Sequence, residues 1–218
     1  MRKFFCTGFA LAFLLALLAV PVSADEEMSG FARDVVANLD FTVGRVVELA
    51  EATPADQFGW RPNEEVRTVS EVYMHLVGVS LLLPSFMGAE LPEGVELPAQ
   101  EDGGPFSLLG KWEAEVTEKE AVIAKLKASL EYAKAAIPTI TDLETEVQLF
   151  GPQPQSKRAY IMILMSHAHE HLGQSIAYAR SMGVVPPWSV PQDAGADGDY
   201  DDAGEAEGDS EEDSDADA

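Results

Sequence analysis

Residues 156–181 constrain the fold more than any other stretch. They contain no proline and one glycine, Gly173, and good helix formers flank a histidine cluster on both sides. That cluster, Ser166-His167-Ala168-His169-Glu170-His171-Leu172-Gly173-Gln174, holds three of the four histidines in the chain. On a strand all three would face one way, as in a metal-binding HxH motif. On a helix His167 and His171 stand one turn apart on one face, and His169 turns away from them. The flanks decide for the helix. The pattern predicts one helix from about Ser156 to Ser181, with Ser156 as N-cap and Gly183 just past its end. A histidine pair at this spacing can chelate a single metal ion.

Three further helices are expected upstream. Phe31, Val35, Leu39, Val43, Val47 and Ala50 recur every three or four residues and mark a first helix from about Met28 to Glu51. Phe58-Gly59-Trp60-Arg61-Pro62-Asn63 reads as a loop, with Trp60 packed on the end of the fold and Arg61 on the surface nearby. Thr68-Val69-Ser70-Glu71 is a capping box that opens a second helix, which Pro84 and Gly88 bring to an end. Residues 88–106 form a long acidic loop, of a length often tied to function, placed to cover the end of a site. A third helix is predicted from about Ser107 to Ala136, with Glu and Lys on its outer face and Lys119 completing the spacing of its apolar stripe. The connection that follows, through Val147-Gln148-Leu149-Phe150-Gly151-Pro152, is expected as extended loop. Four amphipathic helices and no strand system predict an all-α four-helix bundle, with the long loop between helices 2 and 3.

The two ends fall outside that bundle. Residues 1–24 have the pattern of a secretory signal peptide: Arg2 and Lys3, an apolar run from Phe9 to Val20, and Val22-Ser23-Ala24 before a cleavage point at Asp25. The lone cysteine, Cys6, lies inside this leader, so an exported mature chain has neither disulfides nor thiol chemistry of its own. No stable membrane span is expected once the leader is removed. Residues 193–218 carry thirteen carboxylates and no Lys or Arg, a composition that predicts a disordered acidic tail. The formal net charge is −24 for the whole chain and −13 for residues 25–192, which argues against nucleic acid as a partner. A small-molecule substrate and a second copy of the chain, as a homodimer, are the partners that remain.

The fourth histidine, His75, lies on the inward stripe of the second helix beside Val72, Leu76 and Val79. Alone, it reads as a core histidine with a hydrogen-bond partner. Bundles, however, build metal sites from inward side chains of facing helices, and His75 faces the same interior as His167 and His171. Together they make a three-histidine site, which leaves coordination positions open as catalytic sites do. Gln174, one turn past His171, is placed to orient a ligand from outside the metal's immediate contacts, and Glu170 is the other candidate for that role. Against this, Glu170 also reads as an ordinary solvated carboxylate. His169 is expected to be exposed or at a helix interface, not a ligand. No residue is assigned a catalytic role from the sequence.

Trp60-Arg61-Pro62, the capping box leading to His75, His167-x-x-x-His171-x-Gly173-Gln174, Tyr178-Ala179-Arg180 and Gly183-Val184-Val185-Pro186-Pro187-Trp188 together resemble the DinB-like (DNA-damage-inducible) family of metal-binding four-helix bundles. The resemblance spans roughly residues 28–189. It implies that His75, His167 and His171 bind one divalent ion, zinc or nickel. Relatives include thiol S-transferases and a mycothiol-dependent isomerase, in which the ion would activate a cofactor thiol. Two departures stand out. Glu170 occupies a position where the family often has a further histidine, and the chain carries an export signal whereas those thiols are cytoplasmic. The expected function is therefore that of an exported metal-dependent hydrolase or thiol-dependent transferase. The competing expectation is a non-catalytic metal-binding or interaction bundle.

Overall fold

In a computed structural model, residues 29–96, 106–150 and 152–190 are described, and the expected leader and acidic tail lie outside them. Three of the helices start where a small polar residue satisfies a free backbone N–H. Ser29 Oγ accepts from Ala32 N at 3.2 Å and opens α1, Gly30–Ala52. The capping box opens α2, Val69–Phe86: Thr68 Oγ1 accepts from Glu71 N at 3.2 Å, and Glu71 Oε2 accepts from Thr68 N at 2.7 Å. Ser156 Oγ accepts from Ala159 N at 3.2 Å and opens α5, Lys157–Ser181. Past α5, Gly183 takes φ 79°, which lets Val184 N donate back to Ala179 O at 2.8 Å.

The expected third helix is two helices. α3, Ser107–Glu115, stops where Val116 turns extended, and α4, Lys119–Ala136, starts again from an extended Glu118. The apolar spacing runs on across the break, which is why the sequence reads as one helix. Lys119 helps fix the joint. Its Nζ donates to Glu51 O and Thr53 O, both at 2.7 Å, so it satisfies carbonyls left open at the C-terminal end of α1. Lys119 is thus a cap for another helix and not a member of its own helix's stripe. A second small difference lies in the connection to α5. Glu146–Val147 (β1) pairs antiparallel with Gln155–Ser156 (β2) in a two-residue ladder at the foot of α5.

α1 packs against α4 and α5, and α2 packs against the same two helices, so the four long helices enclose one core. Leu39, Leu49, Tyr73, Met74, Leu126 and Tyr160 are among its fully buried side chains. The protein is all-α in class, with α3 as a fifth helix laid on α2. α2 is long and apolar enough to cross a membrane, yet 72% of it is buried inside the fold, which is the pattern of a core helix. Contact between α2 and α3 is close. A Cβ placed on Gly78 would lie 2.0 Å from Leu109 Cδ2, so the glycine leaves the space that Leu109 fills.

Candidate metal centre

Helix periodicity brings His167 and His171 to the α2 side of α5, and α2 presents His75 to them. The ring centroids of His167 and His171 are 4.3 Å apart, and each lies 5.1 Å from that of His75. One imidazole nitrogen from each residue lies within 4.8 Å of the other two. The three side chains are shielded: His171 is 7% exposed, and the side chains of His75 and His167 are 13% and 21% exposed. Burial pushes His167 down to about 4, helped by the neighbouring charges of His171, His75 and Arg67. Burial also lowers His171, against a hydrogen bond to Gln174 that acts the other way. These two rings are therefore neutral near pH 7, with a lone pair available.

Hydrogen bonding fixes which nitrogen carries that lone pair. His75 Nδ1 stands 2.8 Å from Glu113 Oε1, and Arg67 Nε stands 3.0 Å from Glu113 Oε2. Burial raises the Glu113 carboxyl, but the bonds from His75 and Arg67 outweigh it and hold the group below the usual carboxylate range. An ionised carboxylate only accepts, so His75 Nδ1 donates to it, and Nε2 is the ring nitrogen not engaged there. On the other side, Tyr178 hydroxyl donates to Arg67 O at 3.2 Å, and Gln174 Nε2 donates to that hydroxyl at 3.0 Å. Gln174 Oε1 must then accept from His171 Nδ1, at 2.8 Å, and Nε2 is again the ring nitrogen not engaged there. His167 Nε2 is buried and has no hydrogen-bond partner among the described residues. Three imidazoles, each with a nitrogen not engaged by these bonds, around one small volume fit a single divalent ion.

The sequence-predicted residues divide as follows. His75, His167 and His171 come together. Gln174 Oε1 lies 2.8 Å from His171 Nδ1. Glu170 does not act as a close support: its side chain is 76% exposed and its Oε2 is 3.9 Å from His167 Nδ1, beyond hydrogen-bond length. His169 faces away, with Nδ1 donating to Met165 O at 2.9 Å and Nε2 2.9 Å from Thr42 Oγ1 of α1. Glu113, Arg67 and Tyr178 were not foreseen. Tyr178 had a visible signal, because it follows Gln174 by one turn on the same face. Glu113 had none, since a continuous third helix puts it among solvated charges. Trp60 packs edge-on against Tyr178, with ring centroids 5.3 Å apart, and so props the Gln174 side of the site.

Beside His167 opens an apolar cavity of about 220 Å³. Val79, Leu83, Phe106, Phe150 and Ile163 line it, and His167 is the polar residue in its wall. Phe106 is the first described residue after residues 97–105, so the far end of the long loop reaches this cavity.

Residues 38–175 match the model of the DinB superfamily. No curated protein matches the chain. Among solved structures, a DinB-like protein from Bacillus cereus is similar at 15% identity and a TM-score of 0.56, over 71% of this chain and 95% of that one. A DinB-like protein from Bacillus subtilis is similar at 21% identity and a TM-score of 0.52, over 70% of this chain and 93% of that one. A mycothiol-dependent maleylpyruvate isomerase is similar at 13% identity and a TM-score of 0.51, over 67% of this chain and 62% of that one. With the family model covering most of the described residues and DinB-like structures sharing the fold, the chain belongs to the DinB superfamily.

Proposed function

We propose that the protein is a metal-dependent enzyme that activates a small nucleophile, a thiol or a water, against a substrate seated in the cavity beside His167. His75, His167 and His171 would hold one divalent ion, zinc or nickel, through their Nε2 atoms. The observation that carries this reading is the buried His167 Nε2, without a hydrogen-bond partner among the described residues, in a cluster whose other two rings have their Nδ1 atoms engaged. The bound ion supplies a lowered pKa to whatever thiol or water is brought to it.

This chain's side chains do the rest. Glu113 and Gln174 orient two of the rings, and Arg67 holds Glu113 in place. Phe106 and Phe150 give the substrate side an aromatic wall. Thiol chemistry draws support from the mycothiol-dependent isomerase among the structural neighbours. It also requires less of the protein than hydrolysis, because Glu113, the carboxylate closest to the rings, is already engaged by His75 and Arg67. The leader pattern supports work outside the cytoplasm, where the thiol would have to be supplied.

The test is metal analysis of untagged protein, then a screen of small electrophiles and esters with and without added low-molecular-weight thiols. One bound ion per chain and turnover that depends on it are expected. A full site with no turnover in either arm would leave a non-catalytic metal-binding bundle. Protein that takes up no zinc or nickel would overturn the proposal at its base.

A further inference from the structure

α3 also borders a second cavity, and none of the four histidines lines it. Its volume is about 300 Å³, at the lower end of the range for small-molecule sites. Val77 and Leu81 of α2, Val95 of the loop between α2 and α3, and Trp112 of α3 give it apolar walls. Its polar groups come from α4, where Lys125, Ser129 and Tyr132 follow one another at four and three residues and share a face. The Ser129 hydroxyl is already used, donating to Leu126 O at 3.0 Å. The Tyr132 hydroxyl is not: it is buried and has no hydrogen-bond partner among the described residues. An orphan of this kind is unfavourable unless something satisfies it. Lys125 is exposed and makes no ion pair among the described residues. This contrasts with Lys127 and Lys134 on the same helix, which pair with Glu51 and with Asp40 and Glu131.

We infer that this cavity is a binding site for a small amphiphilic carboxylate, with its hydrocarbon part against Val77, Leu81 and Trp112 and its carboxylate on Lys125 and Tyr132. The ligand class follows from the chemistry of the lining. Lys125 only donates, and Tyr132 has an unused donor, so the ligand's polar end must accept. Lys125 repels an ammonium and favours an anion. The apolar walls require a hydrocarbon body, which inorganic anions and sugars lack. The site stands apart from the histidine cluster, so it does not depend on the enzymatic reading above.

The full chain is titrated calorimetrically with octanoate, octanol and octylamine, both zinc-loaded and chelated. Octanoate is expected to bind one per chain, with octanol weaker by about tenfold and octylamine not detected. Binding should also quench Trp112 fluorescence, and Trp112→Phe should remove that signal. Lys125→Met should bring octanoate down to the octanol level. Ala128→Phe, which adds bulk to the lining at an exposed position, should abolish binding of both while the melting temperature holds. Absent saturable octanoate binding, equal affinity for octanol, or indifference to Ala128→Phe would each overturn the inference. So would octanoate binding lost in His171→Ala, which would place the ligand at the histidines instead.

Discussion

The two sides of the histidine cluster are held in different ways. On the α5 side, His171 is held by Gln174 and Gln174 by Tyr178, all on one helix and all neutral. On the α2 side, His75 is held by Glu113, 38 residues along the chain on α3, and Glu113 is charged and paired with Arg67. The first arm is built by helix periodicity and costs no long-range contact. The second exists only once α3 has docked on α2. A half-buried carboxylate on a histidine also does more than a neutral amide, because it makes the ring a stronger donor to a cation. The comparison suggests that the α5 arm sets where the ion sits, and the α3 arm sets how tightly.

Replacing His171 with Ala removes the junction of the α5 arm with the ion and has the largest expected effect. Zinc affinity should fall by more than about a hundredfold, while far-UV circular dichroism stays that of the intact fold, because the core is apolar and does not need the ion. The metal-free protein should melt cooperatively, and earlier than the zinc-loaded one. Loss of helix on zinc removal would mean that the arms are secondary to metal-driven folding.

The arms themselves are compared by Glu113→Gln and Gln174→Leu. Removing the charge at 113 should weaken zinc by about 10–100-fold, and removing the amide at 174 by about tenfold or less. The readout is competitive zinc titration against a chelating dye. Equal losses would show that charge on the α3 arm adds nothing beyond orientation.

A pH titration of the metal-free protein sharpens the burial side of the comparison. His167 titrates at about 4 when folded, against an ordinary value of 6.5. Its folded value is lowered, so its contribution to stability is complete above pH 6.5 and is lost as pH falls from 6.5 through 4. His171 is shifted in the same direction. The expected loss is on the order of 1–3 kcal/mol, read from urea midpoints at pH 7 and pH 4.5, and His167→Ala should flatten the slope. A midpoint independent of pH in that interval would mean that the cluster is solvated.

The smallest effect is expected at His169. Its replacement by Ala should leave zinc affinity within about twofold of wild type and cost about 1 kcal/mol through the lost bonds to Met165 and Thr42. A zinc loss matching that of His171→Ala would break the helical account of the cluster.

The same division decides what could be read from the sequence. Apolar periodicity, the capping box before His75 and the i,i+4 histidine pair are local patterns, and they were enough for an all-α fold and for three histidines meeting. Gln174 was legible for the same reason. Glu113 was not, because its position depends on the break at Val116, and Val116 keeps the apolar stripe in register across it. What stops the helix is partly Lys119 reaching the end of α1, a contact between residues 66 or more positions apart. Arg67 was hidden for a related reason: it precedes the N-cap of α2 and looks like an ordinary loop charge until Glu113 is beside it.

Arg67 meets both arms, but with different atoms. Tyr178 rests on its backbone carbonyl, which every amino acid possesses, whereas Glu113 rests on its guanidinium, which only arginine supplies. Genetic drift at codon 67 can therefore strip the charged arm of its anchor without disturbing the neutral one. A lineage that loses arginine there keeps the three histidines and the amide strut, and changes only the grip on the metal. One position gives evolution a tuning screw for the site with no codon for a ligand touched.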